Sequence, residues 1–221
     1  MIKLKSDDIL LFQGDSITHG GRGESQTDMN HIIGHGYQSI LASRIGLENI
    51  DTCPTIINRG VSGDSSISIY NRRQADIFDI KPTVMSLLCG VNDANRHVPT
   101  SPNDFNKTMR KLLNETKEKF PDIKLIIGEP FLFHLKNYRD EEQKASTEYL
   151  YEPTLKIAEY AREIAKDFDA LFIPYWGELK KYVDICPDKH IIWDGVHPTY
   201  VGHAIMSEFW YKTVDESGLL R

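Results

Sequence analysis

An α/β fold built on a five-stranded parallel sheet is what this sequence predicts, on three observations. Five short apolar runs rich in branched residues are continuous rather than alternating, as strands covered on both faces should be. Longer amphipathic segments separate them, which is the pattern of helices packed on a parallel sheet. Three of the runs end in small or polar residues, where an open parallel sheet places its ligands. In order, the strands are Ile9 to Gln13, Thr55 to Asn58, Val84 to Cys89, Lys124 to Gly128 and Ala170 to Pro174. The clearest helix opens on Ser101 as a cap, Pro102 in the first turn and Asp104 at the third position. It then carries Phe105, Met109, Leu112, Leu113 and Phe120 on one stripe and stops at Pro121. A second helix shows Ile157, Tyr160, Ala161, Ile164 and Phe168, and a third shows Val201, Ile205, Phe209 and Trp210. Two segments read as long loops, Ile17 to Gly36 with five glycines and Phe131 to Ser146 with the charged run NYRDEEQK.

Composition narrows the function classes. The chain has 221 residues, 26 Lys plus Arg against 32 Asp plus Glu, and a formal charge of −6. A chain of this length buries roughly 70% of its unfolded surface, enough for a core without disulfides or structural metal. No repeat and no linker-like composition shift divides it, so one domain over 1–221 is expected. Cys53, Cys89 and Cys186 are odd in number and widely spaced, which predicts reduced thiols and a cytoplasmic setting. The start reads as lacking a signal peptide, and no apolar run approaches the ~18 residues of a membrane span. Dispersed basic residues in a net acidic chain argue against nucleic acid. His31 and His35 are four apart, but the glycines beside them make a metal-binding helix a poor reading, and no glycine pattern suits a nucleotide.

Chemistry concentrates at the strand ends. The first strand runs into Gly14, Asp15 and Ser16, the second into Gly60 to Gly63, and the third into Gly90 to Asp93. A fourth segment, Asp194 to Pro198, sets a carboxylate and an imidazole three residues apart. A serine hydroxyl becomes a useful nucleophile when a neutral imidazole takes its proton, and a carboxylate fixes that imidazole's tautomer. Ser16, His197 and Asp194 supply the three types. The oxyanion of acyl transfer needs donors, for which the backbone N–H groups of Ser16 and Gly63 and the side-chain amide of Asn92 are candidates. Singly, each of these residues is an ordinary turn or loop residue; four such blocks at four strand ends are not.

With its GDS at 14–16, NRGVSG at 58–63, GVND at 90–93 and DGVHP at 194–198, the sequence resembles the SGNH hydrolases, also called GDSL-type esterases. The resemblance spans nearly the whole chain, and the order and spacing of the blocks agree with it. It implies a three-layer α/β/α sandwich of flavodoxin-like strand arrangement, hydrolysis of carboxylic esters, and no cofactor. By matched position it makes Ser16 the nucleophile, Gly63 and Asn92 the oxyanion donors with the Ser16 amide, and Asp194 and His197 the acid and base. The GDSITHGGR, GHGYQSIL and WDGVHP segments are most similar to carbohydrate esterases of the cytoplasm, acetylxylan esterases among them. Gln13 departs from the family pattern, which has a small or apolar residue there, and is expected to shape the pocket floor. The G-x-S-x-G elbow of the other large esterase fold is absent.

Trp193, Asp15 and Tyr37 are expected to face the substrate, with His97, Phe131 and Phe133 completing the rim. His203 reads as a packing residue and Cys89 as a buried, inert thiol. The absence of an extended apolar lid favours a short acyl group, acetyl above all, on a sugar or other hydroxylated molecule. Alternatives are a thioesterase or lysophospholipase using the same residues, or a carbohydrate-binding domain without turnover. Aromatic content is compatible with a homo-oligomer.

Overall fold

The computed structural model of the chain describes residues 1–25, 27–95, 100–187 and 189–220. Five parallel strands are present where the apolar runs predict them: β1 (Ile9–Gly14), β2 (Thr55–Asn58), β3 (Val84–Leu88), β4 (Lys124–Gly128) and β5 (Leu171–Ile173). Among the described residues seven α-helices connect and flank them: α1 (Ser16–His19), α2 (Tyr37–Glu48), α3 (Ser66–Asn71), α4 (Pro102–Lys119), α5 (Glu141–Asp167), α6 (Tyr175–Val183) and α7 (Tyr200–Ser217). The sheet order is β2-β1-β3-β4-β5. Winding therefore reverses between β1 and β3, which opens a crevice beyond their carboxyl ends.

Alternation along each strand sorts the core into two layers. Leu10, Phe12, Val84, Leu88 and Ile126 face Tyr37, Leu41 and Ile45 of α2 and Met206, Trp210 and Val214 of α7. Leu11, Met85, Leu87, Leu125 and Ile127 face Phe105, Met109 and Leu112 of α4 and Ile157, Ala161 and Ile164 of α5. Helices thus cover both faces, which is why the strands carry no polar stripe. Ser86 is the one polar residue inside β3, and it is buried; the fully buried Trp210 donates its indole N–H to the Ser86 hydroxyl at 3.0 Å. Replacing Trp210 by phenylalanine is expected to lower stability by about 1–3 kcal/mol, because Ser86 loses its donor in a dry site. A fall in the urea midpoint at unchanged slope is the readout.

The cap read at Ser101 is present, with its hydroxyl accepting the Asp104 N–H at 3.2 Å and Pro102 in the first turn. The second loop is shorter than expected. Asp140 caps α5 by accepting the Gln143 N–H at 2.8 Å, while Gln143 returns a carbonyl to the Arg139 N–H at 2.7 Å. The charged run is therefore partly the acidic first turn of a 27-residue helix, and Glu141 and Glu142 suit the positive end of its dipole. Pro153 lies inside that helix and forfeits its own N–H bond without ending it.

Register brings the reactive ends level. Gly14 pairs with Leu88 and Phe12 with Asn58, so the residues that follow β1, β2 and β3 emerge at one edge of the sheet.

Candidate active site

At that edge Asp15 caps the short helix α1, its carboxylate accepting the Ile17 N–H at 3.0 Å, and Ser16 becomes the first helical residue. A residue at this position has no acceptor four residues back, so its own N–H is left over. The fourth block arrives from across the chain. Ile192 bridges Pro198 in antiparallel fashion, and the Trp193 N–H donates to the His197 carbonyl at 3.0 Å, closing a tight turn. Inside the turn Asp194 Oδ1 accepts the N–H groups of Val196 at 2.9 Å and His197 at 2.7 Å. Gly195 has a φ of +97°, and a Cβ there would lie 2.9 Å from the Phe133 carbonyl, so the turn needs glycine. Its carbonyl accepts the Phe133 N–H at 2.8 Å, which fastens the turn to the segment after β4.

This arrangement sets His197 Nε2 2.8 Å from Ser16 Oγ, across 181 residues of sequence. His197 Nδ1 lies 2.7 Å from Asp194 Oδ2. Burial works to lower the His197 pKa, but the hydrogen bond and charge of Asp194, with the charge of Asp15, outweigh it and hold the imidazole above its usual value. Burial likewise works to raise Asp194, and its bonds to His197 win, holding it below the usual carboxylate range. Such a chain can remove a proton from a hydroxyl and return it to a leaving oxygen.

The second block is laced to β1, and the third is laced to the residue that follows the second. The Val61 N–H donates to the Gly14 carbonyl at 3.0 Å, and Asn92 Nδ2 donates to the Asp64 carbonyl at 3.0 Å. That uses one of the two amide hydrogens of Asn92 and leaves the other. Gly63 is exposed with φ +85°. Neither its N–H nor that of Ser16 has a protein acceptor among the described residues.

A sequence profile of the GDSL-like lipase/acylhydrolase family matches residues 10–210. The chain belongs to that family. As a GDSL hydrolase it is a carboxylic ester hydrolase, and the α/β fold agrees with solved relatives. A structure described as a GDSL-like lipase from Parabacteroides merdae superposes with a TM-score of 0.86 at 29% identity, covering 99% of both chains. The acetylxylan esterase of Geobacillus stearothermophilus is 24% identical over 96% of both chains. A crystal structure of Axe2, an acetylxylan esterase from the same organism, gives a TM-score of 0.80 at 23% identity over 96% of both chains. Variants of Axe2 described as catalytic mutants replace a serine, a histidine and an aspartate by alanine.

In this GDSL hydrolase the cleft beside Ser16 and His197 has a volume of about 250 Å³ and is lined also by Ile17, Ser62, Trp193 and His203. A larger cavity of about 840 Å³ opens at the opposite edge of the sheet among residues such as Lys3, Asp8, Lys81 and Lys124, with no histidine or cysteine in its wall. The smaller cleft, which holds the serine and the imidazole, is the candidate site. Trp193 stands at the cleft as expected, half exposed and stacked on His197 with centroids 6.0 Å apart and planes 26° from parallel.

Three expectations about the rim need correction. Tyr37 is fully buried, edge-on to Phe12, with its phenol on the Thr18 hydroxyl at 3.1 Å, so it belongs to the core. Asp15 is buried as a cap and does not line the cleft; enclosure pushes its pKa up to about 7, against the Ile17 N–H that pulls it down. Phe131 and Phe133 are likewise core residues. His97 lies outside the described residues.

Gln13 does not shape the floor. Its side-chain Oε1 accepts from Arg72 at 2.6 Å and from the Gly14 N–H at 3.0 Å, while Arg72 also grips Asp64 at 2.6 Å and Asp76 at 2.8 Å. Arg72 thus ties the back of the nucleophile strand to the residue whose carbonyl receives Asn92. Asn58 does similar work: Nδ2 donates to the Thr18 and Ile33 carbonyls, both at 2.8 Å, and Oδ1 accepts the Gly60 N–H at 2.8 Å. Sequence reasoning missed Arg72 altogether and the bracing roles of Gln13 and Asn58. The only signal was a polar residue closing an apolar strand.

Proposed function

We propose that the protein is a serine esterase that removes short acyl groups, acetyl foremost, from carbohydrates or similar hydroxylated molecules through an acyl-enzyme. The chain of contacts from Ser16 through His197 to Asp194, at 2.8 and 2.7 Å, carries this reading. With its Nδ1 hydrogen held by Asp194, the neutral imidazole offers a lone pair at Nε2 and takes the Ser16 proton as Oγ attacks the ester carbonyl. The Ser16 and Gly63 N–H groups and the spare hydrogen of Asn92 receive the oxyanion. His197 then protonates the departing alkoxide, and the same imidazole activates water to release the acid.

A cleft of about 250 Å³ lies below the ~300–1,000 Å³ of pockets that enclose drug-sized ligands, which suits a two-carbon acyl group. Trp193 offers an apolar ring face beside the reacting atoms, suited to the face of a pyranose. The acetylxylan esterases among its relatives support the same substrate class. Three unpaired cysteines favour a cytoplasmic setting. Among the described residues no helix is long and apolar enough to cross a membrane.

Acetate release from a panel of acetylated sugars, run beside acetyl, octanoyl and thioester substrates of one alcohol, tests the proposal. Preference for acetyl oxygen esters is expected, and a strong preference for octanoyl or thioester overturns it. Asn92→Ala is expected to lower kcat about 10²–10³-fold with little change in KM, because the missing donor serves the oxyanion more than the ground state.

A further inference from the structure

His203 occupies the first turn of α7, and its ring is 9% exposed. Its Nδ1 accepts the backbone N–H of Tyr37 at 3.1 Å. Tyr37 opens α2, so that N–H has no partner within its own helix. A ring nitrogen that accepts an N–H carries no hydrogen, which puts the hydrogen of the neutral imidazole on Nε2. Packing holds the ring in place, nearly parallel to the Tyr37 phenol with centroids 6.4 Å apart.

The Nε2–H has no protein acceptor among the described residues. It is not sealed away either: among the described residues the buried side-chain polar atoms without a partner are Gln38 Oε1 and Tyr175 Oη. His203 is one of the residues lining the cleft that holds Ser16, Trp193 and His197. Four imidazoles line this cleft, those of His19, His35, His197 and His203, and two of them, His197 and His203, have opposite polarity. His197 keeps its hydrogen toward Asp194 and offers a lone pair, whereas His203 accepts behind itself and offers a hydrogen. Burial, aided by His35 and His197, holds the pKa of His203 down at about 4, so it stays neutral wherever His197 can act as a base.

We propose that His203 is a substrate-positioning residue whose Nε2–H grips an oxygen of the alcohol half of the ester, the ring oxygen or a hydroxyl adjoining the acylated position. The assignment to the alcohol half follows from the chemistry. The leaving oxygen must reach His197 Nε2 to be protonated, which brings its substituents to the wall formed by Trp193, Pro198 and His203. An alcohol with an oxygen beside the ester satisfies the fixed donor, and one without it leaves the donor stripped of water and unpaired. This inference rests on the hydroxylated-substrate reading above and assigns one residue to that preference.

The test compares an acetylated methyl pyranoside, with free neighbouring hydroxyls, against cyclohexyl acetate, a ring of similar size lacking those oxygens. Wild type is expected to favour the pyranoside in kcat/KM, and His203→Phe to lower the pyranoside-to-cyclohexyl ratio about 10–100-fold. His203→Gln, which keeps an acceptor and a donor, is expected to recover part of it. Both rates come from the same sample, so loss of folded enzyme does not move the ratio. An unchanged ratio in His203→Phe overturns the role of His203 while leaving the esterase reading intact. A wild type that cleaves cyclohexyl acetate but not the pyranoside overturns both. Imidazole ¹⁵N NMR of the folded wild type is an independent readout, and a His203 ring carrying its hydrogen on Nδ1 overturns the proposal.

Discussion

Ser16→Ala is expected to lower kcat on an aryl acetate by about 10⁴–10⁶-fold and to abolish labelling by a fluorophosphonate probe, while thermal unfolding stays near that of the wild type. The hydroxyl lies 2.8 Å from His197 Nε2 and, in the proposed mechanism, supplies the atom that becomes acylated. The cap that shapes the turn is Asp15, so the backbone around residue 16 does not depend on the hydroxyl. Binding and the oxyanion donors survive the substitution, and groups of that kind alone leave a residual ~10³–10⁴-fold over water in comparable hydrolases. Folded wild-type protein that resists the probe, or an alanine variant that keeps its turnover, removes Ser16 from the mechanism.

Asp194→Asn is the second large effect, and here the geometry predicts more than a lost charge. Oδ1 of Asp194 is held by two backbone N–H donors, at 2.9 and 2.7 Å, so an asparagine must keep its carbonyl oxygen there. Its amide nitrogen then takes the place of Oδ2, 2.7 Å from His197 Nδ1, and presents a hydrogen to it. The imidazole is driven to carry its own hydrogen on Nε2, facing Ser16, and can no longer accept the hydroxyl proton. A fall of about 10⁴ in kcat is expected on this tautomer argument.

The pH profile reports the same pair. In the wild type burial lowers the His197 pKa and Asp194 more than restores it, so protonation of the base begins above the usual imidazole value. Activity should therefore be full at alkaline pH and decline as pH falls through that raised value. In the residual activity of Asp194→Asn the decline should move to lower pH, because burial remains and the carboxylate is gone. A midpoint that stays in place in the variant would falsify the assignment of Asp194 as the partner of His197.

Much of this was legible in the chain. The five strands could be read because helices cover both faces of the sheet, which makes them mostly apolar over three to six residues. The α4 cap could be read because Ser101, Pro102 and Asp104 act within one turn. The Asp194 to His197 block was likewise local: a carboxylate three residues before an imidazole bonds to it through a single turn. Errors arose where a local signal had two physical outcomes. Charged residues 137–144 suited a loop, but Asp140 caps the Gln143 N–H while the Gln143 side chain accepts the Arg139 N–H, and a helix starts there. Aromatic Tyr37 suited a rim, but Phe12 and Thr18 surround it.

Residue types and spacing were enough to single out Ser16, Asp194 and His197 as candidate reactive groups and to give the order in which the blocks meet the sheet edge, since strand, cap and turn preferences act over a few neighbours. Packing decided the rest: that Gln13 and Asn58 brace the strand ends, that Asp15 is enclosed, and that one imidazole presents a lone pair while another presents a hydrogen. A side chain's tautomer and exposure depend on partners brought close in space, and for His203 the decisive partner is a backbone N–H 166 residues away.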